Sequence, residues 1–248
     1  MKKNAVILGM ARSGTSLAAS ILARQGYTVA GSSADALQKP NKYNPSGYWE
    51  SRALMDNNIE ILSLTGFRPD NTWFHEAITP GQVDHIARLE PLPHHMQFVE
   101  SFERQSPWLW KDPRLCYTLD YWWPLLDRET TRVLHVTRDA GEIFRSFQRV
   151  ADDWHVTVAM EEAVIRQRID EHRESAARIL AKHDIPHLTI DYAEYESAPG
   201  KVAAEISELL DITLKAEDLG FDRNAVANFE SSPVQRVKTF LKGFLKPG

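Results

Sequence analysis

Short apolar runs alternate along the chain with stretches in which apolar residues return every third or fourth position. Residues 5–9 are apolar and close on a glycine, which predicts a buried strand. Thr15–Arg24 follows, with Leu17, Ala18, Ile21 and Leu22 on one side of a helix. A second helix is predicted over 48–64, where Leu54, Ile59, Ile61 and Leu62 are apolar. Residues 66–107 lose the rhythm, because Pro69, Pro80, Pro91, Pro93 and scattered aromatics leave no clear period. A stretch of that length points to an acceptor-side segment or lid; a loosely built insertion without chemical role is the alternative.

Strand signals resume at 108–110, which Pro113 should close, and at 132–136, which is β-branched and apolar. Helices are predicted at Ala140–Val150 and over 158–183. In the longer one Met160, Val164, Ile169, Ala176 and Leu180 form the apolar stripe, and Glu162/Arg166 and Glu174/Arg178 offer i,i+4 pairs. A strand at 187–190 and a helix over 201–210, marked in its first turn by Pro199, complete the pattern. Strand and helix in alternation imply an α/β fold, a three-layer sandwich around a mostly parallel central sheet. With no internal repeat, the 248 residues read as one domain.

Charge narrows the function. The 29 basic and 34 acidic residues leave a net −5, which argues against a general binder of nucleic acid or acidic membranes. One cysteine, Cys116, excludes a disulfide framework and a Cys-rich zinc module, and it fits a reducing compartment. No apolar window approaches the roughly 18 residues that span a bilayer. Arg12 and Ser13 interrupt the apolar start, and no small-residue cleavage pattern follows, so the expected location is cytoplasmic.

Between the first strand and the first helix stands Gly9-Met10-Ala11-Arg12-Ser13-Gly14-Thr15-Ser16. The spacing is that of a P-loop, with Thr15 where a nucleotide triphosphatase carries lysine. Glycines let such a loop wrap an anion, converging N–H groups and the helix N-terminus attract it, and Thr15 and Ser16 add hydroxyls. Arg12 supplies a cation from another position. The loop is therefore suited to phosphate without being built for ATP hydrolysis. A second cluster runs from Arg138-Asp139 to Ser146, starting at the C-terminal end of a strand, where ligands of open parallel sheets bind.

Together the two segments resemble the PAPS-dependent sulfotransferase family, in its bacterial branch. There a P-[KR]-S-G-T-[TS] loop binds the 5′-phosphosulfate of 3′-phosphoadenosine 5′-phosphosulfate (PAPS), and an Arg and a Ser eight residues apart bind the 3′-phosphate. Here these are Ala11-Arg12-Ser13-Gly14-Thr15-Ser16 and the pair Arg138/Ser146. Softer matches follow in family order: Asn44-Pro45-Ser46-Gly47-Tyr48-Trp49-Glu50, Trp110-Lys111-Asp112-Pro113-Arg114, and Ile190-Asp191-Tyr192. Ala11 and Ala140 replace common prolines, Leu17 stands where relatives often stack a Trp on adenine, and the family's C-terminal R-K-G-x-x-G-D-W-K is absent. Arg236, Lys238 or Lys242, in a predicted helix over 234–245, could hold the 3′-phosphate instead or form a solvated basic end.

The resemblance implies sulfuryl transfer from PAPS to a hydroxyl or amine of a small-molecule or carbohydrate acceptor. No nucleic acid, membrane span or metal is expected. Arg12 is the candidate cation beside the leaving oxygen, and Glu50, expected to open the next helix, the candidate general base. Glu50 as a simple helix-terminus charge is the competing reading, and Glu100, Asp112 and His75 are other possible bases. Lys111 and Arg114 could contact sulfate or pair with an acid such as Asp112. Arg12, Ser13, Gly14, Thr15, Ser16, Arg138, Ser146 and Tyr192 are the candidate donor-binding residues. His94-His95 are adjacent and form no H-x-x-x-H pair, His183 and His187 have i,i+4 spacing but Pro186 argues against a continuous helix presenting them together, and both pairs are expected at the surface rather than as ligands. Seven tryptophans offer stacking faces for an acceptor, most of them as core. The rival functions are a P-loop small-molecule kinase using ATP–Mg and a non-catalytic nucleotide-binding domain.

Overall fold

The computed structural model describes residues 1–29, 37, 44, 47–67, 77–150 and 161–220. Among the described residues four parallel strands form one sheet: β1 (Asn4–Leu8), β2 (Leu109–Lys111), β3 (Thr131–Thr137) and β4 (His187–Asp191), in the order β2-β1-β3-β4. Every residue of β1 is buried, as an apolar run in a sheet covered on both faces should be. β4 lies at the edge and buries only Ile190 fully, which is why its sequence alternates.

Helices α1 (Thr15–Arg24), α2 (Arg52–Leu64), α3 (Pro80–Ile86), α4 (Pro93–Glu103), α5 (Leu115–Trp122), α6 (Ala140–Val150), α7 (Glu162–Lys182), α8 (Glu194–Ser197) and α9 (Pro199–Leu210) flank the sheet. One apolar cluster joins Ile7, Leu22, Leu134 and Val136 to Tyr195, Val202 and Ile206 of the C-terminal helices. A second joins Val6, Leu8 and Val133 to Leu54, Phe102, Trp110, Leu119 and Trp122. These are the outer layers of the expected sandwich. Four tryptophans, Trp108, Trp110, Trp122 and Trp123, sit in the second cluster and are spoken for as core; Trp73 and Trp154 lie outside the described residues.

The expected helices at Thr15–Arg24 and Ala140–Val150 are found at those bounds. The helix expected over 48–64 begins only at Arg52, because the Ser51 hydroxyl accepts from Leu54 N at 3.3 Å and sets the N-cap there. Residues 66–107 are not uniformly irregular: α3 starts on a Thr79/Gln82 capping box with Pro80 in its first turn, and α4 carries Pro93 in its first turn. Arg166 pairs with Glu162 as expected, whereas Arg178 donates to Asp120 at 3.1 Å. Residues 158–160 and the basic helix expected over 234–245, with Arg236, Lys238 and Lys242, lie outside the described residues. Among the described residues no helix is long and apolar enough to cross a membrane.

Candidate active site

Parallel strands bring all their C-terminal ends to one edge of the sheet. The register aligns Ile7 with Lys111, Leu8 with His135, and Thr137 with Asp191. The loop after β1, Lys111, Arg138 and Tyr192 therefore arrive on the same edge. Tyr192 is tied in by its backbone N–H, which donates to Thr137 O at 2.8 Å.

Two glycines make the loop possible. Gly9 has φ 147°, and a Cβ there would stand 2.5 Å from Val136 O. Gly14 has φ 99°, and a Cβ would meet the Tyr192 ring at 2.2 Å. Between them Arg12 holds φ 71°, a left-handed conformation that a non-glycine adopts only when its surroundings enforce it. The chain then enters α1 at Gly14, where no side chain caps the helix. Ser13 and Thr15 are buried, and Ser16 is half-buried with its hydroxyl 3.4 Å from Tyr48 O.

The two predicted anion motifs meet. Arg12 Nε donates to Ser146 Oγ at 2.9 Å, and Arg138 Nη1 donates to Arg12 O at 3.3 Å. Burial lowers the pKa of Arg12, with the nearby Arg149 and Arg138 charges acting in the same direction. The Arg138 guanidinium lies over the Tyr192 ring, 4.2 Å from its centroid, so Tyr192 fills the space between Gly14 and Arg138. Burial raises the pKa of the Tyr192 phenol, and the Arg138 charge opposes the rise. Ser146 is fully buried and addresses Arg12 rather than the open edge.

Sequence reasoning missed Glu142 and Arg173 as partners of this cluster. Glu142, one turn beyond Arg138, accepts from Arg138 Nε at 2.8 Å. The i,i+4 spacing was a legible signal for it. Arg173 of α7 donates to Arg138 O, which no local pattern announces because the contact spans 35 positions.

At the other end of the loop stand Glu50 and Lys111. Lys111 Nζ donates to Glu50 Oε1 at 2.5 Å and to Ser16 Oγ at 3.3 Å. Only 7% of Glu50 and 4% of Lys111 is exposed, so this is a desolvated pair. Burial raises the Glu50 pKa, and the Lys111 charge pulls against it. Glu50 does not open α2 as expected. It precedes the Ser51 cap, next to Trp49 with its φ of 56°, and its carboxylate turns to Lys111 instead of the helix N-terminus.

The neighbouring Asp112 is structural. It accepts from Asn58 Nδ2 at 3.0 Å and from Arg114 Nη1 at 3.1 Å, while Asn58 Oδ1 accepts from Thr118 and Trp122 at 2.8 Å. This buried network anchors α2 to α5 behind Glu50 and removes Asp112 and Arg114 from the site's free groups. Glu100 is an exposed residue of α4 facing Arg104, and His75 lies outside the described residues.

A model of the Sulfotransferase family matches residues 5–216. Among solved structures the chain is similar to a sulfotransferase domain from the curacin biosynthetic pathway, at 15% identity and a TM-score of 0.51, covering 91% of this chain and 82% of that one. That likeness speaks to the fold. The sulfotransferase STF1 from Mycobacterium tuberculosis H37Rv gives 15% identity and a TM-score of 0.49, with 92% and 71% covered. No curated protein matches the chain.

Proposed function

Because this chain belongs to the sulfotransferase family, which matches it over residues 5–216, we propose that it transfers a sulfuryl group from PAPS to a hydroxyl or amine of a small-molecule or carbohydrate acceptor. The observation that carries the reading is the meeting of the two anion motifs through Arg12, Ser146 and Arg138. A donor with separate 5′ and 3′ charged groups needs two such stations on one edge of the sheet.

The residues present suit that donor. The glycine loop leaves a cradle that a Cβ at residue 14 could not share with Tyr192. Ser13, Gly14, Thr15 and Ser16 would hold the 5′ end through N–H groups and hydroxyls, with positive potential from α1. Arg138, steadied on Tyr192, would hold the 3′-phosphate. Ser146 keeps Arg12 between the two stations.

When bound, PAPS supplies an SO3 group and departs as 3′,5′-ADP, with negative charge growing on the bridging oxygen. The chain's part is electrostatic and positional. Lys111 Nζ and the Arg12 guanidinium place fixed positive charge along the loop, worth more in a dry site than in water. Glu50 receives the acceptor's proton on a carboxylate oxygen as the acceptor forms its bond to sulfur and the bridging S–O bond breaks. Lys111 opposes the rise that burial imposes on the Glu50 pKa and so favours the ionised form that a base requires. The buried lone cysteine suits a cytoplasmic setting.

One observation favours a second reading. Lys111 lies 3.3 Å from Ser16 Oγ and so brings a lysine to the loop from β2, which a kinase using ATP–Mg could exploit. Release of 3′,5′-ADP from PAPS, followed across a panel of phenols, sugar alcohols, lipid alcohols and amines, decides between them. The expected result is acceptor-dependent release that falls about 10²-fold or more in Glu50→Gln, the usual scale of general-base catalysis. Acceptor-dependent consumption of ATP–Mg with PAPS untouched would overturn the reading.

A further inference from the structure

Away from the donor edge, α2 and α4 bring together three groups that the chemistry above does not use. His94 Nε2 lies 2.8 Å from Glu60 Oε2, and His95 Nε2 lies 3.3 Å from the same oxygen. One ligand atom from each of the three residues falls within 4.8 Å of the others. Neighbouring helical residues point about 100° apart, so a His-His pair does not normally converge. Here Glu60 arrives from α2 between the two rings.

His95 is not the surface residue that its sequence context suggested. Its side chain is 0% exposed, packed against Trp122 with ring centroids 5.0 Å apart. A buried polar nitrogen without a hydrogen bond is expensive. His95 Nε2 is such an atom: it makes no hydrogen bond of good geometry and is aimed at Glu60. The opposite nitrogen, Nδ1, is held by Tyr121 Oη at 2.7 Å, and Leu92 N donates to that same phenol at 2.9 Å. With Nδ1–H donating to Tyr121 Oη, whose second lone pair accepts from Leu92 N, the ring presents Nε2 as a bare lone pair, the tautomer of a metal-ligating histidine.

We propose that Glu60, His94 and His95 form a site for a divalent first-row transition ion, with Zn2+ the best match to two imidazoles and one carboxylate. At Zn–ligand distances of about 2.0–2.1 Å, tetrahedral ligand atoms stand roughly 3.3 Å apart. The His95–Glu60 separation already has that value, and the His94–Glu60 contact must open by about half an ångström. His94 and Glu60 side chains are about half exposed, which gives the ion an entry path and leaves its fourth position to water. Glu60 lies eight positions along α2 from Arg52, roughly 12 Å at the helical rise. The ion therefore sits apart from Glu50 and clasps the start of α4 to α2, independently of the transfer reaction.

The test uses full-length protein purified without a histidine tag and stripped with chelator. Calorimetric titration with Zn2+ should give one equivalent bound, and Zn2+ should raise the melting temperature. His94→Ala and Glu60→Gln change half-exposed side chains, so both should fold; each should weaken Zn2+ tenfold or more, and the double variant should lose stoichiometric binding. Tyr121→Phe, which touches no ion, should weaken it by 10- to 100-fold, the usual effect of losing an outer partner. Absence of stoichiometric binding would reduce the cluster to a surface ion pair beside a core histidine. One equivalent bound unchanged by the double variant would place the ion elsewhere. Either result overturns the proposal.

Discussion

Replacing Lys111 by methionine isolates the buried pair at the centre of the site. The ammonium and the Glu50 carboxylate lie 2.5 Å apart, and both are nearly water-free. At an effective dielectric of about 20 their attraction is about 7 kcal/mol, before desolvation of the two ions is subtracted. Methionine keeps most of the volume and strands the carboxylate, a change that typically destabilises by about 3–5 kcal/mol. Glu50 can lower that cost only by taking up a proton. Its pKa is already raised by burial, with Lys111 holding it down, so removing Lys111 drives it further up.

The pH dependence follows with a definite sign. A carboxyl whose folded pKa exceeds its unfolded value binds more protons in the folded state, so stability falls as pH rises through that window. Lys111→Met should therefore lose stability from about pH 5 upward, by up to about 1.4 kcal/mol per pH unit. The double variant Glu50→Gln/Lys111→Met carries neither charge and should recover at least about 2 kcal/mol relative to Lys111→Met at pH 8. Urea denaturation of the four proteins of this cycle at pH 5 and pH 8 reads both effects. A Lys111→Met protein destabilised by less than about 1 kcal/mol at pH 8, or as stable as the double variant at both pH values, would refute a buried, coupled pair.

Three further outcomes are expected. Gly14→Ala must adopt φ near 99° and press a methyl into the Tyr192 ring, so it should lose at least about 1–2 kcal/mol of stability by denaturation and bind 3′,5′-ADP more weakly. Glu142→Gln removes a carboxylate competing for Arg138 and should tighten 3′,5′-ADP by calorimetry; looser binding would make Glu142 a positioning group. Burial pushes the His172 and His135 pKa values down to about 4 from the usual 6.5. The unfolded chain therefore takes up protons first, stability should be lost as pH falls from about 6.5 to 4, and His172→Gln should remove about 3 kcal/mol of that total loss.

Local chemistry decided what the sequence could reveal. β1, the loop from Gly9 to Ser16 and α1 are specified by neighbours in the chain, and the apolar run, the glycines and the helical spacing exposed them directly. The same holds for β3 and α6, which carry Arg138 and Ser146. α3 was legible and overlooked, since Thr79-Pro80-Gly81-Gln82 is a capping box with proline in its first turn. α5 hid for a different reason: all eight of its residues are buried, so it shows no polar face and no helical period. The pairing of Glu50 with Lys111 spans 61 positions and that of Arg12 with Ser146 spans 134. Such contacts are products of the sheet order, and a linear pattern cannot carry them.

The most direct test of the proposed donor is calorimetric titration of the full chain with 3′,5′-ADP, 5′-ADP and ATP–Mg. Two anion stations joined through Arg12 predict that 3′,5′-ADP binds at least tenfold tighter than 5′-ADP, about 1.4 kcal/mol, and that Arg138→Ala erases the difference. Equal affinity for the two diphosphates, or tighter binding of ATP–Mg, would contradict a site built to read the 3′-phosphate.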